Sequence, residues 1–204
     1  MSQLTSLLDT KFVSGPSTSF EQPHVLFIFL EIGGNPSIGR QALAKKAGLG
    51  EGATRTILKR LREKGYAETR ASGCFLTVKG TKLFRTVKSK LSEFSGIPQS
   101  KLTIGESQAG LRVRGGAASV RKGIEQRDSA IRAGASGATT YVIRDGRFAI
   151  PGGSSDCEKD FPDKAWVSMT KDLDPKNGDA VIVCGATALT TAKIGALAAA
   201  ITLI

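Results

Sequence analysis

The sequence has 204 residues, enough for one large domain or two of ordinary size, and a hydrophobic content of 40% that excludes an intrinsically disordered chain. Its formal net charge is +11 at pH 7, which points to a polyanionic partner. The three cysteines show no CxxC spacing and the single histidine is His24, which argues against a disulfide framework and a structural zinc site. We expect a cytoplasmic protein with no metal or other cofactor.

The chain begins with residues 1–20, predicted to be a flexible or weakly helical lead-in that ends in the serine-rich stretch 14–19. This segment lacks the basic-then-apolar pattern of a signal peptide. The apolar run 24–32 then predicts a first helix, which begins near Pro23 and ends at Gly33-Gly34-Asn35. Its first turn contains His24, which we expect to be a surface or capping histidine.

Residues 40–65 carry two short helical patterns separated by the glycine turn Gly48-Leu49-Gly50. The first pattern places small and apolar residues on one face, and the second buries Ile57, Leu58 and Leu61. This is typical of a helix-turn-helix, in which the second helix enters a DNA groove. The alternative is a helical hairpin that serves only as scaffold.

A strand pattern follows, in which residues 66–70 and 74–78 flank the turn Ala71-Ser72-Gly73. A hairpin directly after a recognition helix is the wing of a winged helix, and Arg70 at its tip would reach phosphate or the minor groove. Residues 81–94 predict a further amphipathic helix, which packs on the module itself or forms a dimer seam.

The positive charge is concentrated in this part of the chain. Residues 40–90 contain fourteen lysines and arginines against three acidic residues, a net +11, whereas residues 99–204 contain fourteen against eleven, a net +3. A basic module joined to a near-neutral one suggests a polyanion-binding part and a part with another role. A solvated lysine-rich surface is the alternative.

Residues 22–92 resemble the winged helix-turn-helix domains of prokaryotic transcription regulators, most clearly in LREKGYAE (61–68) and LTVKG (76–80). The resemblance implies a DNA-binding domain over residues 21–95, a recognition helix near 51–64 and double-stranded DNA as partner. The candidate DNA-contacting residues are Arg40, Lys45, Glu51, Arg55, Thr56, Lys59, Arg62 and Arg70.

A linker at 95–100 leads to a second domain, 101–204, predicted as a mixed α+β sandwich for effector sensing or dimerisation. Its predicted elements are strands 102–104 and 110–114, helix 118–133, hairpin arms 138–144 and 147–150 around Asp145-Gly146, a loop at 154–163, a helix or strand at 164–171, a buried strand at 179–184 and an apolar helix at 187–204. The weakly apolar stretch 181–204 fits a buried strand and helix better than a membrane span.

This second half resembles the C-terminal domain, of uncharacterised function, that some archaeal winged-helix proteins carry. The residues behind the resemblance are IEQRDSAIRAGASGATT (124–140), the FAIPG that follows, and the GDAVIVCGA…GALAAAI ending. The resemblance implies no activity.

Two strand-to-helix turns in this half are candidates for an anion. At the first turn, residues 112–116, exposed amides and two arginines favour a phosphate or carboxylate. The second turn, residues 184–187, is the weaker candidate. Gln126 and Arg127 would add a polar pocket if their helix face turned inward. The alternative is that the charged residues of this helix form solvated ion pairs, such as Asp128 with Arg132. The candidate site residues are Arg112, Arg114, Gly115, Gly116, Ser119, Gln126 and Arg127.

Enzyme chemistry finds little support in the sequence. No histidine follows His24, and Cys157 lies beside Asp156 and Glu158, which would raise its pKa and make it a poor nucleophile. We therefore expect a homodimeric DNA-binding transcription regulator, with a small anionic effector as a further possibility and no membrane partner. The alternatives are a winged-helix protein-interaction module and an enzyme domain on an unfamiliar scaffold.

Overall fold

The computed structural model describes residues 3–9 and 20–204, and the chain divides into two compact units between Lys88 and Ser89. The first unit is a winged helix and the second is an antiparallel sheet covered by helices, so the predicted α+β class is confirmed. Residues 89–95, assigned from the sequence to the first domain, group with the second unit. The serine-rich stretch 14–19 lies outside the described residues.

Short helices and a hairpin build the first unit. Their bounds are α1 Gln3–Leu8, α2 Gln22–Gly34, α3 Arg40–Ala47, α4 Glu51–Glu63, β1 Ala67–Arg70, β2 Gly73–Leu76 and α5 Val78–Lys90. The predicted weak helix near the N-terminus is α1, whose Leu7 and Leu8 are buried. At the start of α2, Nδ1 of His24 accepts a hydrogen bond from the N–H of Glu21 at 3.2 Å, as expected of a capping histidine.

The helix-turn-helix consists of α3 and α4. Gly48 ends α3 in the left-handed conformation, with φ of +64°, which favours a residue without a β-carbon. Ile57, Leu58 and Leu61 of α4 are buried, so the predicted apolar stripe is confirmed. They join a core centred on Phe29 of α2, whose ring makes edge contacts with neighbouring aromatic rings.

The wing is the hairpin of β1 and β2, in which Arg70 pairs with Gly73 across the turn. A bridge from Ile38 to Cys74 adds the connection before α3 to this small sheet. The predicted second arm, 74–78, is wrong at its end because the chain turns into α5 at Val78. Thr77 explains this early start: its Oγ1 accepts a hydrogen bond from the N–H of Gly80 at 3.0 Å, the geometry of a helix N-cap.

Gly80 lies where α5 passes close to Tyr66, just after the end of α4. A β-carbon at this position would lie 1.9 Å from the carbonyl oxygen of Tyr66. Gly80→Ala is therefore expected to destabilise the winged helix by about 1–3 kcal/mol, because backbone atoms must move to relieve the overlap. Urea unfolding followed by circular dichroism measures the change. Gly34→Ala, at a helical glycine with open space around it, is the control and should be neutral or slightly stabilising; equal destabilisation by both variants would contradict the account.

The second unit is an antiparallel sheet with helices on both faces. Its elements are β3 Ser95–Ile97, β4 Ser107–Val113, a 3₁₀ turn Gly116–Ser119, α6 Ile124–Arg132, β5 Gly137–Arg144, β6 Arg147–Ala149, α7 Cys157–Asp160, α8 Ala165–Leu173, β7 Ala180–Ala186 and α9 Leu189–Ile201. Within residues 20–204 the strand order is β3-β4-β7-β5-β6. The hairpin predicted around Asp145-Gly146 is confirmed, since both residues have positive φ.

The central strand β7 separates two cores. Val181 and Val183 pack with Trp166 and the rest of α8 on one face. On the other face Cys184 meets α9, where a β-carbon on Gly195 would lie 2.6 Å from its Sγ. The glycine and alanines of α9 thus allow close approach to the sheet, and the predicted buried strand and helix are confirmed. Among residues 3–9 and 20–204, no helix has the length and apolar character needed to cross a membrane.

Four predicted features of this unit are wrong. The loop predicted over 154–163 contains the short helix α7, in which the N–H of Lys159 donates to the side chain of Asp156. The linker 95–100 begins with an edge strand, because Ser95 and Ile97 turn inward and pair with β4. Residues 102–104 form turns rather than a strand. The helix predicted over 118–133 is interrupted, and α6 starts only at Ile124 because Gly123 adopts a φ of +77°.

Candidate functional site

One face of α4 carries a row of exposed basic side chains. Arg55, Lys59 and Arg62 follow one another at spacings of four and three residues, so they lie on one side of the helix. The opposite side holds the buried stripe. The packing of α4 into the core thus fixes which side chains remain available to a partner.

Few internal contacts neutralise this row. Arg55 and Arg62 form no ion pair with any residue that the structure describes, and the same holds for Lys45 of α3. Lys59 lies 3.8 Å from Glu63, but both side chains are more than half exposed, so solvent screens the pair. These charges are therefore available to an anionic partner.

The start of α4 is tied to the start of α3 through Glu51. Its carboxylate lies 3.5 Å from the guanidinium of Arg40 and accepts a hydrogen bond from Nε2 of Gln41 at 3.4 Å. The charges of Arg40 and Glu51 are thus paired with each other. The contact of Gln41 with Glu51 was not predicted from the sequence, because these residues meet only across the turn. The hydroxyl of Thr56 donates to the carbonyl of Gly52 at 3.0 Å, within its own helix.

At the wing, the side chain of Arg70 contacts other residues of the hairpin. Its guanidinium lies 2.5 Å from the carboxylate of Glu68 and 5.5 Å from the centre of the Phe75 ring. The side chain is nevertheless 64% exposed at the end of β1, next to the hairpin turn. The eight predicted DNA contacts thus fall on α3, α4 and the wing of one unit, and their role stays a prediction.

Other cations of this unit have structural partners. Nζ of Lys64 donates to the carbonyl of Asp9 at 2.7 Å, which holds the end of α1. Nζ of Lys79 lies 4.6 Å from the centre of the Tyr66 ring and donates to the carbonyl of Lys64. Lys46 pairs with Glu31 at 2.6 Å. The charge count along the sequence therefore overstates the number of cations free for a partner.

The anion site predicted at Arg112 is already filled by a carboxylate of the chain. The buried guanidinium of Arg112 lies 3.7 Å from Asp179 and donates to the carbonyl of Asp174. Asp179 also accepts from the N–H groups of Gly115 at 2.9 Å and Lys176 at 3.0 Å. An internal acid thus lies where an external anion was predicted and satisfies the two backbone donors, whereas Nε of Arg112 has no hydrogen-bond partner among the described residues.

The remaining residues of that predicted site are dispersed. Arg114 donates to the carbonyl of Leu91 at 2.9 Å, Gly116 is buried and Ser119 is exposed. Gln126 is buried on α6 and donates to Oγ1 of Thr202 at 2.6 Å, whereas Arg127 is exposed.

The ion pair of α6 also differs from the predicted one. Arg127 pairs with its neighbour Asp128 at 3.1 Å, and Arg132 instead donates to Ser129. At the weaker candidate turn, a β-carbon on Gly185 would lie 2.4 Å from the carbonyl oxygen of Ile104, so the chain itself fills that space.

The cysteines lie in apolar surroundings. Burial raises the pKa of the Cys157 thiol, with smaller contributions from Asp160 and Asp156, and it raises the pKa of Cys184 to about 12. Both thiols are therefore protonated at neutral pH, as expected of core residues. Within residues 3–9 and 20–204, no group of three or more histidine, cysteine, aspartate or glutamate side chains is placed to hold a metal ion.

Comparison with known proteins gives three findings. Residues 104–203 match the domain of unknown function DUF4443. The hypothetical protein PH0730 from Pyrococcus horikoshii OT3 is similar in structure with a TM-score of 0.72 and 27% identity, over 91% of this chain and 93% of that one. A MarR-family protein of Mycobacterium tuberculosis aligns with a TM-score of 0.31 and 20% identity, over 34% of this chain and 53% of that one. No curated protein matches the sequence.

The comparisons agree with a C-terminal domain of uncharacterised function. The DUF4443 match covers nearly all of the second unit, and the similarity to the archaeal protein extends over both units.

Proposed function

We propose that the protein is a DNA-binding transcription regulator. The observation that carries the proposal is the row of Arg55, Lys59 and Arg62 on the solvent face of α4, whose other face is fixed in the core. Such a helix fits the major groove, and cations spaced along it neutralise phosphates or donate to base edges. In this proposal Arg70 of the wing contacts the adjacent DNA backbone.

The second unit, in this proposal, supplies dimerisation, detection of a small anionic effector, or both. A homodimer acting in the cytoplasm would present two copies of α4 to half-sites about one helical turn of DNA apart. An effector that binds one dimer geometry more tightly would shift the population of DNA-competent molecules. The protein acts as a regulator rather than as an enzyme.

Salt dependence of DNA binding tests the proposal. The full chain is expected to bind a fluorescent duplex of mixed sequence, with a plot of log affinity against log salt of slope about −4.5 per bound subunit, because roughly five cations of each subunit replace counterions. Fluorescence anisotropy at several salt concentrations measures the slope. Absence of saturable binding at about 50 mM salt would overturn the proposal, and affinity for a protein but not for DNA would assign the winged helix to protein interaction.

A further inference from the structure

Two arginines face each other across the turn of the β5–β6 hairpin. Arg144 ends β5, Arg147 begins β6, and the strand register pairs them directly. The turn between them, Asp145-Gly146, is tight, with φ of +51° and +75°. Like charges directly opposite each other on a hairpin are unfavourable unless another group compensates them.

Only one of these arginines has its charge compensated. The guanidinium of Arg147 lies 2.5 Å from the carboxylate of Asp156. The side chain of Arg144 is exposed and forms neither an ion pair nor a hydrogen bond with any residue in the described part of the chain. Its charge is therefore available to an external anion.

Arg144 borders a cavity with further donors. The cavity has a volume of about 480 Å³, in the range of small-molecule sites, and its lining includes Arg144, Arg147 and the loop residues 152–155. The N–H of Gly153 donates to Ile150 at 2.9 Å, but those of Gly152, Ser154 and Ser155 have no acceptor among the described residues. Guanidinium and unpaired backbone N–H groups are the donors that hold phosphate in proteins.

A second cavity of about 460 Å³ shares Arg144 with the first. Apart from Arg144 and Asp145 its lining is uncharged and includes Ala117, Ala118 and Asn177, which suits the organic part of a ligand. Oδ1 of Asn177 accepts a hydrogen bond from the N–H of Gly146 at 2.8 Å, which fixes the hairpin turn against this cavity. Arg144 thus lies between a donor-rich cavity and a less charged one.

We infer that Arg144 and the loop 152–155 bind the phosphoryl group of a small phosphomonoester. This site would serve the effector that the proposed function invokes; binding itself does not depend on that function. Asp145 also borders both cavities and opposes an anion, so it limits the affinity. The site differs from the one predicted at Arg112, where a carboxylate of the chain takes the place of the ligand.

Amide resonances of the full chain provide the test, because phosphate also has access to the basic face of α4. Titration with inorganic phosphate or adenosine 5′-monophosphate, without DNA, is expected to shift the amide signals of Gly152, Ser154 and Ser155 in a saturable manner. Stronger binding of the ester would assign the second cavity to its organic part, and equal binding would assign the site to the phosphoryl group alone.

Matched variants identify which positive charge binds phosphate. Arg144→Gln is expected to weaken phosphate binding about tenfold, because a charge-assisted contact is lost. Arg121→Gln removes the same charge from an 85% exposed position of the same unit and should change affinity less than about twofold. Asp145→Asn should tighten binding because it removes a like charge.

Three results would overturn the inference: unshifted 152–155 amides at about 50 mM phosphate, equal weakening by the two arginine variants, or weaker binding by Asp145→Asn. Failure of DNA binding alone would overturn only the proposed function, since the titration contains no DNA.

Discussion

Replacing both Arg55 and Lys59 by alanine is expected to weaken binding to duplex DNA roughly 30-fold or more, about 2 kcal/mol, at fixed salt. Both side chains are exposed on the face of α4 opposite the buried stripe, so their removal takes away partner contacts and leaves the core unchanged. Each cation that neutralises a phosphate releases about one counterion, and the salt slope should therefore become shallower by about two for each bound subunit. Fluorescence anisotropy at several salt concentrations gives both quantities.

A matched control separates these contacts from the net charge of the protein. Arg121 and Lys122 are consecutive exposed cations of the second unit, and replacing both by alanine also lowers the charge by two. This variant should bind DNA within about twofold of the unmodified protein, because neither cation belongs to the unit proposed to contact DNA and exposed charges outside an interface contribute little at moderate salt. If it weakens binding as much as the α4 variant, the attraction is nonspecific and the assignment of α4 as recognition helix is wrong.

The helix-turn-helix was predictable because its signals are local. Apolar residues at helical spacing and a glycine at the turn specify the α3–α4 hairpin, and burial of Ile57 and Leu61 follows from that spacing. Predicting where α5 starts would have required recognising Thr77 as its N-cap. The β-branched residues Thr77 and Val78 instead suggest a strand. The sequence pattern thus predicted which helices and strands form more accurately than it predicted the residues at which they begin and end.

The candidate sites of the second unit were less predictable because the groups that pair with their charged side chains are distant in sequence. Arginines before a glycine pair at Gly115-Gly116 form a real anion-binding pattern, but the acid that fills it, Asp179, follows 64 residues after Gly115. At the β5–β6 turn the Asp145-Gly146 signal was recognised, yet the sequence does not show that Asp156 compensates Arg147 and leaves Arg144 unpaired. Pairing between charges depends on tertiary structure, which a local pattern does not contain.

Asp179→Asn is expected to lower the free energy of unfolding of the second unit by about 3 kcal/mol. The substitution leaves the guanidinium of Arg112, which is about one-tenth exposed, without its counter-charge. It also replaces one of two acceptor oxygens by an amide donor, so that the N–H of Gly115 or of Lys176 loses its partner. Urea unfolding followed by the fluorescence of Trp166, which lies in the core of this unit, measures the change.

Asp174→Asn provides the control, because it makes the same chemical change in the same loop. The Asp174 carboxylate pairs with Lys176 where both side chains are 68% exposed, and asparagine tolerates the positive φ of this residue. Its unfolding midpoint should therefore stay close to that of the unmodified protein. A large difference between the two variants would mean that the buried ion pair stabilises the second unit; similar midpoints would mean that solvent enters and compensates Arg112.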